Sequence, residues 1–451
     1  MQIERIHLDK SPVDVFENFA YLENSFFLDS SMDPKKLGRY SFIGYDPFLI
    51  FRSKRKNIEI IRNNKIYQLS GNPLDELKSL LSKYKVDYYS KKFPFVGGAV
   101  GYFSYDLYES IYKIKSNQID DINTWDCYLG FYDTILMFDN IEKSAYVVSC
   151  SDYIKKFDSP KKIFMKKKSN IVVNKNSNKK TRIISNFTKK DYIKSIKKVK
   201  EYIKAGDIYQ ANLSQRLCTD LNTDPWILYK KLHKINPAPF SAFLNFDGIT
   251  IASSSPERFL KVDKRRIETR PIKGTRPRGK NLEEDKKLAK ELMNSEKDKA
   301  EHVMIVDLER NDLGKICKFG SVKVSEFEIL EKYTTVFHMV STVEGKLKKD
   351  VDQIDCLKAT FPGGSITGAP KVRSMEIISE LEPTRRSIYT GSLGYLSFNG
   401  NMDLNIVIRT FIIKDNKGYF QVGGGIVADS DPEKEYDETL DKAKALIESC
   451  K

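Results

Sequence analysis

Cysteine and histidine are too few and too scattered in this chain to build paired-thiol centres or metal sites of several histidines. Its 451 residues include six cysteines and four histidines. Cys127, Cys150, Cys218, Cys317, Cys356 and Cys450 form no CxxC pair, and no histidine stands at zinc spacing from them. Zinc fingers, disulfide scaffolds and dithiol redox centres are excluded, and the thiols read as reduced. Long apolar runs are missing too: none approaches the roughly 20 residues that cross a bilayer. The opening MQIERIHLDKSPVDVF lacks the apolar stretch and small-residue cleavage site of a signal peptide. A cytoplasmic protein without membrane contact is the expectation. Nor is there a nucleotide loop. FPGGSITGAPKVRS (361–374) spaces Gly363 and Gly368 as a Walker A motif does, but Ala369 and Pro370 stand at its Lys and Ser/Thr positions. GGGIVAD (423–429) lacks the GxGxxG continuation into a helix.

What is present suits a large globular protein: 40% of residues are hydrophobic, mixed with charged ones throughout. The formal net charge of +15 raises a nucleic-acid reading. Against it, the lysines spread along nearly every segment beside Asp, Glu or Asn. The densest run, KKIFMKKKSNIVVNKNSNKKTR (161–182), has one aromatic and no stacking pattern. It reads as a polar connector between an N-terminal region, 1–160, and a larger region, 183–451. No nucleic-acid partner is expected, and that reading stays a remote alternative; a small anionic substrate also suits the positive field.

Short β-rich runs such as YSFIGYDPFLIF and FVGGAVGYFSYDLY, punctuated by Gly, Pro and Asp, predict strands in the first region. Thr188 with Asp191 predicts a capped helix start, Ile193, Ile196, Val199 and Ile203 its apolar stripe, and Gly206 its stop. A long helical stretch is expected over about 281–310, another helix from near Val372, and a last one from about Pro432 to the end. YQANLSQRLC, FSAFLNFDGITIASSS, FLKVDKRRIETRPI, MDLNIVIRTFIIK and GYFQVGGGIVA read as strands. With no fixed repeat and no regular βαβ alternation, the class is α+β with large, mainly antiparallel sheets.

Two acidic pairs are candidates for chemistry. Asp298 with Glu301, and Glu435 with Glu438, stand three apart on predicted helices and so face one way, with Lys442 a turn beyond Glu438. Such pairs from separate helices can enclose Mg²⁺, and equally are common on solvated helices. FPGGSITGAPKVRS precedes a helix, so it either holds an anion at the helix N-terminus or is a tight turn.

GDIYQANLSQR, SSSPERF, PIKGTRPRG, VDLERNDLG, FHMVSTVEG, FPGGSITGAPKVRSMEII, YTGSLGYLSFNGNMDLNIVIRT and GGGIVADSDPEKEYDET follow one another in this order. Together they resemble the chorismate-utilising enzymes, which include anthranilate, aminodeoxychorismate, isochorismate and salicylate synthases. The resemblance covers the whole chain and is strongest from about 187 to 445. Within the family it is greatest to component I of aminodeoxychorismate synthase, because PIKGT puts Lys273 where the other branches typically have alanine. Component I of anthranilate synthase is the alternative.

The resemblance implies a layered sandwich of two large, mainly antiparallel sheets with helices outside, and 183–451 as its chorismate-binding region. It implies replacement of chorismate's ring hydroxyl by an amine, giving 4-amino-4-deoxychorismate for 4-aminobenzoate and folate. Lys273 would add to the ring first and ammonia would displace it, splitting one substitution into two. That route asks for a neutral amine, whereas a free lysine stays protonated to about pH 10.4. Burial lowers that value, as would Arg270 and Arg276 if they faced the same pocket. Glu257 corresponds to the general acid/base for the hydroxyl, and His338 to a histidine near it. Mg²⁺ would be held by Glu301 and Glu438, supported by Asp298 and Glu435. Arg409 and Tyr389 match holders of the enolpyruvyl carboxylate, with Gly423 and Gly425 offering backbone amides. Ser365, Gly274 and Thr275 match ring-carboxylate contacts, and Lys442 assists at the metal end. Gln210 stands where isochorismate and salicylate synthases carry a water-activating lysine, which argues against those reactions. The chain has no GxCxGxQ elbow, so a separate glutamine amidotransferase subunit is expected to supply the ammonia. FFLDSS and NPAPFSAFL loosely match places where relatives hold tryptophan, marking Leu28, Ser30, Pro237 and Phe240 as a candidate tryptophan site.

Overall fold

In the strand Ser25–Asp29, Phe26 and Leu28 join one hydrophobic core while Phe27 joins another. A strand covered on both faces imposes that alternation. The structure, a computed structural model, describes residues 1–30, 32–33, 36–150, 182–333 and 336–451. Their strands form two sheets of twelve strands each, antiparallel in the ladders around the site. The inner core, with Phe26, Leu28, Tyr102, Tyr132, Leu244 and Tyr395, draws on both sheets. The outer face of the first sheet is covered by the helices Pro12–Phe16, Pro225–Ile235 and Pro432–Ser449, where Phe16, Phe27 and Trp226 pack ring against ring. The second is covered by Pro73–Ser82, Glu296–Ile316 and Gln353–Thr360. The expected α+β sandwich, two large antiparallel sheets with helices outside, is the fold found.

Neither sheet belongs to one half of the chain. Ser25–Asp29 pairs with Phe240–Phe246 in the first sheet, and Gly98–Phe103 pairs with Ser392–Ser397 in the second. The boundary drawn near residue 160 thus separates stretches of chain whose strands share both sheets. The connector expected at 161–182 lies, apart from Arg182, outside the described residues.

The helix Lys189–Ala205 starts at Thr188, whose side chain accepts the Asp191 N–H, and stops at Gly206 with φ 84°. Tyr192, Ile196 and Val199 are its buried stripe. The stretch expected over 281–310 is two helices, Leu282–Asn294 and Glu296–Ile316. Ser295 separates them: its backbone is extended, and its side chain caps the second helix by accepting the Asp298 N–H. MDLNIVIRTFIIK is likewise two strands. Met402–Ile406 belongs to the second sheet and Thr410–Lys414 to the first, so the chain changes sheets at Val407–Arg409. Between Ile249–Ser255 and Arg258–Asp263 it makes the reverse change, at Pro256–Glu257. The two crossings bond to each other. The Ile406 N–H donates to the Glu257 carbonyl at 3.0 Å, and the Ser254 N–H to the Arg409 carbonyl at 3.1 Å.

Candidate active site

The paired crossings set Glu257 and Arg409 between the sheets. Arg409 has φ 51°, a left-handed conformation uncommon for a residue with a side chain, and its guanidinium donates to Asn236 Oδ1 at 3.3 Å. Glu257 is buried; its Oε1 accepts the Ile272 N–H at 3.4 Å, and the Ser365 side chain lies close enough to favour its ionised form. Burial pushes the Glu257 carboxyl up to about 7, against the opposing pull of Ser365, the Ile272 N–H and the charges of Lys273 and Arg409.

Lys273 lies on Ile272–Pro277, a strand of the second sheet that pairs with Val336–Lys346. A bulge at Gly274 sets Lys273 opposite Met339 and Thr275 opposite the adjacent His338; such bulges re-aim side chains. Gly274 has φ 75°, and a Cβ there would lie 2.7 Å from the Leu292 side chain, so any other residue would be strained at this bulge. The Lys273 amine, on a side chain 13% exposed, is 3.6 Å from Glu301 Oε2. On another side it meets the first sheet: a Cβ on Gly425 would lie 2.8 Å from Lys273 Nζ and 2.7 Å from Gln210 Nε2. Glycine in one sheet makes the room into which the other sheet's lysine extends. Both polar atoms of the Gln210 amide are buried without a hydrogen-bond partner. Thr275 Oγ1 is 2.9 Å from His338 Nδ1, while His338 Nε2 has no partner. Burial, then the Arg409 charge, pulls His338 down to about 3, leaving a neutral imidazole.

The arginines around Lys273 are taken up by carboxylates. Arg270 bonds Glu326 and Glu331, Arg276 bonds Glu291 at 2.9 Å and Asp298 at 3.0 Å, and Arg278 bonds Asp285 at 2.7 Å. The ionic partner of Lys273 is instead Glu301, of opposite sign.

Glu435 and Glu438, on Pro432–Ser449, sit over the glycine strand: a Cβ on Gly424 would lie 3.2 Å from Glu435 Oε2 and 4.0 Å from Glu438 Oε1. Lys297, which the sequence reading passed over, stands 3.9 Å from Glu301 and 3.6 Å from Glu435. Its i,i+4 spacing to Glu301 was the available signal. Burial raises the Glu301 carboxyl, opposed by Lys273 and Lys297. Lys442, aided by Lys273 and Lys297, holds Glu438 below the usual carboxylate range against burial. Lys442 also donates to the Gly423 carbonyl at 2.8 Å. Among the described residues no three His, Cys, Asp or Glu side chains stand close enough to hold a metal ion as placed. The donors nonetheless suit a hard cation, being carboxylate oxygens, and one ammonium already spans Glu301 and Glu435. Asp298 is turned to Arg276. Tyr389 is buried, and burial raises its hydroxyl pKa.

Comparison with known proteins bears on this constellation. The model of the family described as chorismate binding enzyme matches residues 24–448. The chain belongs to that family. It is 41% identical to anthranilate synthase component 1 of Acetivibrio thermocellus, over 98% of this chain and 92% of that protein. It is 40% identical to aminodeoxychorismate synthase component 1 of Bacillus subtilis (strain 168), over 91% and 88%. The crystal structure of anthranilate synthase component I from Streptococcus pneumoniae TIGR4 superposes with a TM-score of 0.75 at 32% identity, over 91% of this chain and 92% of that one. Whole-chain similarity does not separate the two activities.

This chorismate binding enzyme has a further cavity, of about 310 Å³, lined in part by Leu28, Ser30, Phe240, Arg258, Tyr395 and Asp403. Three of the residues marked for tryptophan line it; Pro237 is not among its lining residues. Asn236 and Phe240 end one short segment, so that segment touches Arg409 at one end and this cavity at the other. No helix among the described residues is long and apolar enough to cross a membrane.

Proposed function

We propose that the protein is component I of an aminodeoxychorismate synthase, converting chorismate and ammonia to 4-amino-4-deoxychorismate. One observation supports this over anthranilate formation: the Lys273 amine enters the carboxylate-lined site, against Gly425 and beside Gln210, within 3.6 Å of Glu301. Lys273 first gives up the ammonium proton that its pairing with Glu301 holds; the neutral Nζ then bonds to the ring as the hydroxyl departs as water with a proton from Glu257. Ammonia forms the new C–N bond as Lys273 leaves as the amine, and the proton shed by the new ammonium returns to Glu257. A carboxyl that titrates near 7 is protonated often enough to give that proton at neutral pH.

Arg409, oriented by Asn236, grips the enolpyruvyl carboxylate with Tyr389 and the amides of Gly423 and Gly425. Ser365, Gly274 and Thr275 meet the ring carboxylate, and the neutral His338 faces the ring hydroxyl through Nε2. Glu301 and Glu438 would hold Mg²⁺, with Glu435 beside them and Lys442 at that end; Asp298, paired with Arg276, would support them only on leaving that partner. The ion supplies charge neutralisation for the ring carboxylate. Relatives carry the name component 1, which fits a partner glutamine amidotransferase as the ammonia source. The cavity at Leu28, Ser30 and Phe240 takes tryptophan in this reading; calorimetry silent at millimolar tryptophan would remove that part.

The deciding experiment incubates the chain with chorismate, Mg²⁺ and ammonium and identifies the product. The expected product yields 4-aminobenzoate only after a separate lyase is added. Direct anthranilate formation refutes the assignment.

A further inference from the structure

Arg386 and Glu382 form a buried ion pair that the steps above do not use. Glu382 ends the helix Lys371–Leu381, and the two side chains meet as a fork: Arg386 Nε donates to Glu382 Oε2 at 2.9 Å and Nη2 to Oε1 at 2.7 Å. Nη2 donates also to the Asn212 carbonyl, and Nη1 to the Ile366 carbonyl at 3.0 Å and to Thr390 Oγ1 at 3.3 Å. A guanidinium has five N–H donors, and each of these has an acceptor. Glu382 Oε1 in turn accepts the Ser214 N–H at 2.9 Å and the Ser214 hydroxyl at 2.6 Å.

The acceptors lie on separate pieces of chain. Asn212 and Ser214 belong to the strand Gln210–Asp220, fixed in the first sheet by its ladder with Lys417–Ile426. Ile366 directly follows Ser365 in the turn Gly364–Ile366. Thr390 directly follows Tyr389, whose N–H returns to the Arg386 carbonyl at 3.2 Å and whose ring centre is 5.9 Å from the guanidinium. Neither the turn nor the Tyr389 segment belongs to a strand. Thr390 has φ 58°, and its N–H donates to the Val407 carbonyl at 2.7 Å, at the sheet change that carries Arg409. One charged group thus joins two loops of the site to a strand that cannot shift.

We propose that Arg386 is a positioning residue for chorismate: it sets the separation between the turn that carries Ser365 and the segment that carries Tyr389, and so the spacing at which the two carboxylates of the substrate are held. The inference rests on Ser365 and Tyr389 as holders of the ring and enolpyruvyl carboxylates. Wrong spacing weakens the hold on substrate and transition state alike, so it raises KM more than it lowers kcat. Lysine at 386 keeps the charge facing Glu382, but its single nitrogen cannot span acceptors that the planar fork reaches on both sides.

The test measures steady-state chorismate consumption with Mg²⁺ and ammonium for wild type, Arg386→Lys and Thr390→Val, with thermal melts to confirm folding. Arg386→Lys should raise KM for chorismate by about tenfold, the equivalent of roughly one hydrogen bond to a carboxylate, and change kcat by less than about threefold. KM for ammonium should stay at the wild-type value. Thr390→Val removes one acceptor of the guanidinium and should raise KM for chorismate by about threefold. Arg386→Lys at wild-type KM overturns the proposal, as does a fall in kcat larger than the rise in KM, or a rise in KM for ammonium that matches the one for chorismate. If the lysine variant does not fold, Thr390→Val decides on the same criteria. Ser365→Ala and Tyr389→Phe test the underlying reading: if either leaves KM for chorismate unchanged, the carboxylate assignment fails and the inference with it. If both raise it and Arg386→Lys does not, the inference alone fails.

Discussion

A carboxyl group that burial keeps protonated near neutrality weakens the fold that carries it. Glu257 titrates at about 7 in the folded chain against 4.5 when free, so the folded state binds its proton more tightly than the unfolded one does. Stability from this group is full below the unfolded value and falls as pH rises toward 7, by about 3 kcal/mol at most. Glu257→Gln should therefore melt above wild type at about pH 8, with the gap closing toward about pH 5; a constant or reversed gap in paired melting curves contradicts this. Lys273 is tested from both sides of the sandwich. Lys273→Ala should fold normally, lose amination, and lose any adduct with chorismate visible by intact-protein mass spectrometry. Gly425→Ala should slow amination while leaving the lysine in the sequence, because its methyl group would stand 2.8 Å from Lys273 Nζ and displace the amine. A Gly425→Ala enzyme that aminates at the wild-type rate would show that the amine does not work from this position.

At the scale of the element, Ser295 separates two helices and caps the one that carries Asp298, Glu301 and Glu309. Ser295→Ala should cost about 1 kcal/mol in a denaturant melt. It should also raise the Mg²⁺ needed for half-maximal activity, since Glu301 lies within two turns of the cap; an unchanged Mg²⁺ requirement would disconnect the cap from the site. Capping was legible where both its partners were local. Thr188, Asp191 and Gly206 marked one helix by short-range chemistry alone, whereas the break at Ser295 hides in a polar stretch whose helical pattern runs on. The sheet change at Val407–Arg409 hides for another reason. Val-Ile-Arg-Thr is as strand-like as its neighbours, and only competition between two sheets for the same chain divides it. The candidate residues stand in motifs, but the pairing of Arg276 with Asp298, and of Lys297 with Glu301 and Glu435, is set by helix placement that no motif encodes.

For the whole molecule, the sharing of both sheets by early and late strands predicts how pieces behave. A fragment of residues 183–451 lacks Ser25–Asp29 from the first sheet and Gly98–Phe103 from the second. It should show no cooperative thermal transition and no chorismate turnover, and co-expression with residues 1–150 should restore both. A sharp melt and wild-type turnover from the fragment alone would contradict this. The same topology sets a timetable for synthesis. Gly98–Phe103 leaves the ribosome long before Ser392–Ser397, the strand that completes its ladder. At ~5–20 residues per second, the growing polypeptide carries an unclosed sheet edge for on the order of 15–60 s. During that interval the nascent chain is exposed to aggregation and to chaperones, so the cell's output of this enzyme should depend on trigger-type holdases as much as on the stability of the finished fold.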